Sequence, residues 1–150
     1  MNRDLFKAKR KSWKELPKEE WWVEGYLFDD GMPEPKHYFI GGIIVKPYEG
    51  TACDKWNVVG IDFCEIDINT LCQYTGLTDK NGKKIWKNDI LVEKHKGIVT
   101  MKYRVVFDLE EGAWMLETKS GARYGIGVVN QRNFEVCGNI FDNPELLEVE

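Results

Sequence analysis

Val99-Thr100-Met101-Lys102-Tyr103-Arg104-Val105-Val106-Phe107 alternates apolar and polar side chains over most of its length. Val99, Met101, Tyr103, Val105 and Phe107 fall on one side; Thr100, Lys102 and Arg104 fall on the other. A strand uses this pattern, because its successive side chains point to opposite faces. A strand with one apolar and one polar face belongs to an antiparallel sheet that buries only one side. His95-Lys96-Gly97 precedes the run as a tight turn. Glu110-Glu111-Gly112 follows it, and Ala113 to Glu117 leads the chain back.

The same grammar extends upstream and downstream. Asp79-Lys80-Asn81-Gly82-Lys83 contains Asn-Gly, the strongest short hairpin signal, since both positions of its turn need positive φ. Ile85-Trp86 and Ile90-Leu91-Val92 are apolar patches around Lys87-Asn88-Asp89. Asp89 reads as a turn residue that hydrogen-bonds its own backbone. Tyr124 to Val129 and Phe134 to Phe141 are further candidate strands. Asn143-Pro144 opens a short helix, with Asn143 as cap and Pro144 in the first turn. Strands and tight turns at roughly 8–12-residue spacing predict a mainly β chain, built as a small antiparallel barrel with short helical turns.

Nearer the start, Trp21 to Phe28 is rich in strand formers, and Asp29-Asp30-Gly31 marks a turn. Two prolines make Met32 to His37 a loop, and Pro47 to Asp54 reads as another. Tyr38-Phe39-Ile40 and Ile43-Ile44-Val45 flank Gly41-Gly42. Trp56 to Ile61 suits a strand with Val58-Val59 buried, whereas Ile66, Ile68 and Leu71 fit a strand or a helical turn equally well. This divides the chain into an N-terminal β-rich extension with variable loops over 1–72 and a barrel-like region over 73–150, expected to form one compact unit.

The chain has 150 residues, 43% apolar and 13% aromatic, a globular composition too apolar for wholesale disorder. Its net charge is −4, which excludes a globally basic nucleic-acid binder. The charge is uneven: residues 1–18 hold seven basic and two acidic side chains, or +5, leaving −9 for the remainder. Lys9, Arg10 and Lys11 in this stretch could contact phosphates, with Trp13 nearby for stacking. The competing reading is a solvated edge strand whose lysines block unwanted pairing. The first residues lack the apolar core of an export signal, and no stretch approaches the roughly 18 apolar residues of a membrane span. A cytoplasmic protein that does not engage membranes is expected.

Motifs for chemistry are missing. There is no phosphate-binding glycine loop, no His-Glu-x-x-His and no Gly-x-Ser-x-Gly. His37 and His95 lie in polar, exposed-looking segments. Cys53, Cys64, Cys72 and Cys137 are separated by 11, 8 and 65 residues and form no close pair, so neither structural zinc nor a disulfide framework is expected. Cys64 and Cys72 read as buried free thiols. Asp62, Glu65 and Asp67 cluster closely enough to suggest magnesium or acid–base work, but such groups are more often the solvated face of an acidic protein. No cofactor or metal is expected. Six tryptophans are many for this length. Most suit the core, but Trp21-Trp22 would point to opposite faces of a strand and so place one ring at a surface.

Four stretches together resemble the YopX family of phage and prophage proteins. They are Asp4 to Arg10, Trp22-Val23-Glu24-Gly25-Tyr26-Leu27, the long run from Gln73 to Leu91, and Gly138 to Leu147. The resemblance spans most of the chain and is loosest over residues 30–70. It implies a largely β protein without known catalytic residues. Lys87-Asn88 stands where the family usually has glutamate-glycine. Asn88 also tolerates positive φ, so the turn is expected to survive. The Asp89-Ile90 strand start is similar to SH3-like barrels, a fold analogy that carries no function. The expectation is a non-enzymatic accessory protein that binds another protein or itself, with Lys9, Arg10, Lys11, Trp21 and Trp22 as candidate binding residues. The alternative is nucleic-acid binding through the basic N-terminus.

Overall fold

The computed structural model describes residues 5–47, 56–127 and 133–148. The chain divides into two compact units, one ending at Leu71 and the other starting at Cys72. Among the described residues no helix is long and apolar enough to cross a membrane. The expectations placed on Arg3, Asp4, Cys53, Val128 and Val129 lie outside the described residues, as do those on the side chains of Val58 and Val59.

The N-terminal unit is a four-stranded antiparallel sheet. Strand β1 (Phe6–Lys9) pairs with β2 (Trp22–Asp29), β2 with β3 (Tyr38–Pro47), and β3 with β4 (Trp56–Glu65). Trp21 precedes β2 and is not part of it. In β2 the inward side chains Val23 and Leu27 pack against Ala8, Ile40 and Ile66, together with Phe6, Tyr38 and Leu71. Gly41 is required where β3 meets β4: a Cβ there would lie 1.9 Å from the Asp62 carbonyl oxygen. The sheet curls until the end of β4 meets β1 again. Arg10 bridges Ile66, Lys11 N–H donates to the Glu65 carbonyl at 3.0 Å, and Asp67 N–H donates to that of Lys9 at 2.9 Å. One bridge is not a continuous ladder, so the curl stops short of a closed barrel. The ambiguous stretch after Glu65 is a 3-10 turn (Ile68–Thr70), capped by the Asp67 carboxylate accepting from Asn69 N–H at 3.1 Å.

The C-terminal unit opens with the hairpin β5 (Cys72–Thr78) and β6 (Lys84–Trp86). Its five-stranded antiparallel sheet comprises β7 (Asp89–His95), β8 (Ile98–Asp108), β9 (Ala113–Glu117), β10 (Arg123–Gly125) and β11 (Phe134–Asn139), in the order β10-β9-β8-β7-β11. This sheet is open, with β10 and β11 at its two ends. The chain is thus mainly β and antiparallel with short helical turns, as the turn spacing predicts, but its sheets are not closed barrels. The C-terminal helix, α1 (Glu145–Glu148), is a single turn.

The tight turns follow local chemistry with one exchange. Lys96 and Gly97 both have positive φ (50° and 80°) and join β7 to β8 in the tightest hairpin. At Asn81-Gly82 only the glycine has positive φ (79°). The turn widens because the buried Asp79 carboxylate enters it. Oδ1 accepts from Asn81 N–H at 2.8 Å and Lys83 N–H at 2.9 Å, while Oδ2 accepts from Val136 N–H at 3.0 Å on β11. Asn88 adopts φ 70°, as its substitution for glycine requires. Asp89 accepts from Trp86 N–H at 2.9 Å, the local backbone bond expected of it.

The alternating strand β8 buries only its middle. Tyr103 and Val105 join Ile85, Leu91, Leu116, Ile126 and Phe134 in the core. Met101 and Phe107 share their face but are exposed, because an 11-residue strand outruns the core beneath it, and a bulge between Val99 and Met101 takes the exposed Val99 out of register with them.

Two predictions follow from this unit. Asp79→Ala strands three backbone donors and should cost about 2–4 kcal/mol in chemical denaturation, with Asp79→Asn costing less because one acceptor survives. Hydrogen bonds from Lys94 and then Lys80 hold the Glu135 carboxyl at about 2, below its ordinary 4.5. The folded value is depressed, so the stabilisation is complete above pH 4.5 and is lost as pH falls through about 2. Glu135→Gln should flatten the melting temperature over that window.

Candidate functional site

Lys9 ends β1 and is 1% exposed. Its ammonium lies 3.8 Å from the ring centroid of Trp13, 4.4 Å from that of Trp21 and 5.6 Å from that of Trp22. Burying a lysine charge costs several kcal/mol, and aromatic faces offset part of that cost through their electron-rich quadrupoles. The chain builds the cluster from nearby pieces. Trp22 is the cross-strand partner of Lys9. Two 3-10 turns, Trp13–Glu15 and Lys18–Glu20, carry Trp13 and Trp21 over it. Trp13 donates its indole N–H to Asp67 at 3.3 Å, Trp21 donates to the Leu16 carbonyl at 2.9 Å, and the two rings meet edge-to-face at 4.8 Å. Trp21 and Trp22 therefore converge on one ammonium instead of diverging to opposite faces, since only Trp22 is in the strand.

The other basic candidates are also engaged internally. Arg10 donates through Nε to the Glu20 carbonyl at 2.9 Å and through Nη1 to the Cys64 sulfur at 3.0 Å. Cys64 is thus a half-buried partner of a guanidinium, whereas Cys72 is the buried free thiol expected. Lys11 pairs with Glu65 at 2.8 Å and keeps its side chain largely exposed. Of the three, Lys9 is buried, Arg10 is half-buried and Lys11 is largely exposed.

The acidic cluster is similarly committed. Glu65 accepts from Lys11 and meets His37 Nδ1 at 2.8 Å, and these bonds hold its carboxyl below the ordinary range. Asp67 caps the 3-10 turn and receives Trp13. Asp62 on β4 is exposed. Among the described residues no three His, Cys, Asp or Glu side chains gather as a metal site.

What lies open instead is apolar. On the outer face of β2, β3 and β4, Tyr26, Phe28, Ile43, Ile61 and Phe63 are 43–64% exposed. The register places them together: Tyr26 faces Gly41, Gly41 faces Phe63, and Ile43 faces Ile61. Phe28 and Phe63 stack edge-to-face at 4.9 Å. Sequence reasoning missed this surface by favouring Trp21 and Trp22. The available signal was β2 itself, whose Tyr26-Leu27-Phe28 is apolar on both faces although only one meets a core.

A family model described as YopX protein matches residues 28–148. No curated protein matches the chain. Among solved structures, the crystal structure of protein EF1440 from Enterococcus faecalis is similar, with a TM-score of 0.53 at 21% identity. The match covers 96% of this chain and 96% of that one. At that identity the likeness concerns the fold.

If the tryptophan faces compensate the buried ammonium, Trp13→Leu should destabilise the N-terminal unit by about 2–4 kcal/mol, through lost packing plus an uncompensated charge. In the double variant with Lys9→Met the loss should be smaller than the sum of the single losses, as a double-mutant cycle of thermal unfolding would show.

Proposed function

The chain belongs to the YopX family, and we propose that it serves as a non-enzymatic protein-interaction module, a phage or prophage accessory protein working in the bacterial cytoplasm. The observation that carries this reading is the outer face of β2, β3 and β4. Contiguous exposed apolar patches of several hundred Å² are uncommon on monomers and mark contact surfaces. Five large apolar side chains, each roughly half exposed, form such a patch. Aromatic rings at its centre suit the desolvated core of an interface. The partner is a second copy or another protein of the phage or its host.

The nucleic-acid alternative is weakened by the fate of the basic residues. Phosphate contacts need exposed cations, whereas Lys9 is buried and the half-buried Arg10 is bonded to the Glu20 carbonyl and the Cys64 sulfur. Anisotropy titrations with single-stranded DNA, duplex DNA and RNA at low salt should therefore show no saturable binding. Binding lost in Lys11→Ala would restore that alternative.

Ile43→Glu with Ile61→Glu places two charges on the patch at positions more than 60% exposed. Each should alter stability by no more than about 0.5 kcal/mol. The pair should abolish concentration-dependent mass in light scattering, or abolish capture of the same protein that the unaltered chain captures. Unchanged association by both measures would show that the patch is not the contact surface.

A further inference from the structure

The curl of β1 to β4 leaves the inner side of the N-terminal sheet only partly filled. Ala8, Val23, Leu27 and Ile40 fill one part of it. On β3 and β4 the register sets Ile40 opposite Cys64, Gly42 opposite Asp62 and Ile44 opposite Gly60. Residues two apart on a strand share a face, so these pairs continue the face of Ile40 away from the core. A cleft lies there, of about 370 Å³, lined by Arg10, Val23, Ile40, Ile44, Asp62 and Cys64 and floored by Gly42. That volume falls within the roughly 300–1,000 Å³ of small-molecule sites, which the mouths of curled sheets often supply. Asp62 and Cys64 alternate with Ile61 and Phe63, so they belong to the face opposite the apolar patch.

Glycine inside a strand weakens it, and is kept where another backbone or a ligand comes close. The Asp62 carbonyl explains Gly41. A Cβ on Gly42 would meet only the Tyr26 ring, at an ordinary 3.8 Å, and the φ of Gly42 is not left-handed. Packing therefore does not require glycine there, whereas an open cleft does. Two opposite charges line the same space. Arg10 uses Nε and Nη1 on a carbonyl and a thiol, both uncharged. Among the described residues, Arg10 Nη2 and the Asp62 carboxylate have no partner. The guanidinium sits 3.0 Å from the Cys64 sulfur, and strand rise places Asp62 roughly 7 Å along β4 from Cys64. Glu24, the other carboxylate at the cleft, is already engaged.

We propose that this cleft binds a free α-amino acid with an apolar side chain. Its carboxylate accepts from Arg10, its ammonium donates to Asp62, and its side chain lies against Val23, Ile40 and Ile44. An α-amino acid with a hydrogen bond of about 2.8 Å at each end spans roughly 8 Å, comparable with the spacing that β4 sets between Asp62 and the Arg10-bound Cys64. A simple anion would be repelled by Asp62 and a simple cation by Arg10, so the site selects a ligand that carries both charges.

The test titrates the full chain with L-leucine, followed by isothermal calorimetry and by amide chemical shifts. Saturable binding is expected, with shift changes at Gly25, Gly42 and Cys64. Isocaproate, which lacks the amine, and isoamylamine, which lacks the carboxylate, should each bind at least about tenfold more weakly. Asp62 is exposed, so Asp62→Asn should keep its fold by circular dichroism and weaken leucine binding at least about tenfold. Gly42→Ala should melt no lower than the unaltered chain, yet bind leucine at least about fivefold more weakly because its methyl enters the cleft. No binding at millimolar leucine, equal binding of either truncated analogue, unchanged affinity in either variant, or shifts confined to other surfaces would overturn the proposal.

Discussion

A buried positive charge organises the N-terminal unit. The Lys9 ammonium cannot leave water without replacement partners, and three tryptophan faces are brought to it. That need accounts for the two 3-10 turns between β1 and β2, which otherwise make a long link for a hairpin. It also accounts for Asp67, which fixes one of the rings while capping the turn that follows β4. The backbone joins in: Lys9 N–H donates to the Thr70 hydroxyl at 2.8 Å, and that hydroxyl donates to the Asp67 carbonyl at 2.7 Å. Strand end, turn and ring cluster thus form one hydrogen-bonded assembly.

The C-terminal unit uses the opposite charge for a similar purpose. The carboxylates of Asp79 and Asp89 are buried and filled by backbone N–H donors. A carboxylate has several acceptor sites, so one side chain can tie two or three chain segments together. Asp79 ties the β5–β6 turn to β11. In both units a polar side chain placed next to a turn replaces the closed ladder that a barrel would have supplied.

This internal use of charge bears directly on function. The N-terminal basic run looks like a surface patch in one dimension, yet much of it is spent on tryptophan faces, carbonyls and a thiol. The acids Glu65 and Asp67 are spent the same way. What the fold leaves exposed on the sheet of β2, β3 and β4 is apolar area on its outer face.

Features set by neighbouring residues were legible in the sequence. The alternation of β8, the turn at Lys96-Gly97, the positive φ of Asn88 and the backbone bond of Asp89 all depend on the preferences of a few consecutive residues. The apolar patches that hold the buried Ile85 and Ile90 followed from the same patterns, and the family followed from motifs in order. Asn81-Gly82 marks the limit: its turn widened because Val136, more than fifty positions away, also draws on Asp79. Lys9, Arg10 and the face of Tyr26, Phe28, Ile43, Ile61 and Phe63 were decided by tertiary structure alone. Their surroundings are built from residues such as Cys64 and Asp67 that strand pairing brings together, and no local pattern encodes which charge finds a partner or which apolar face is left uncovered.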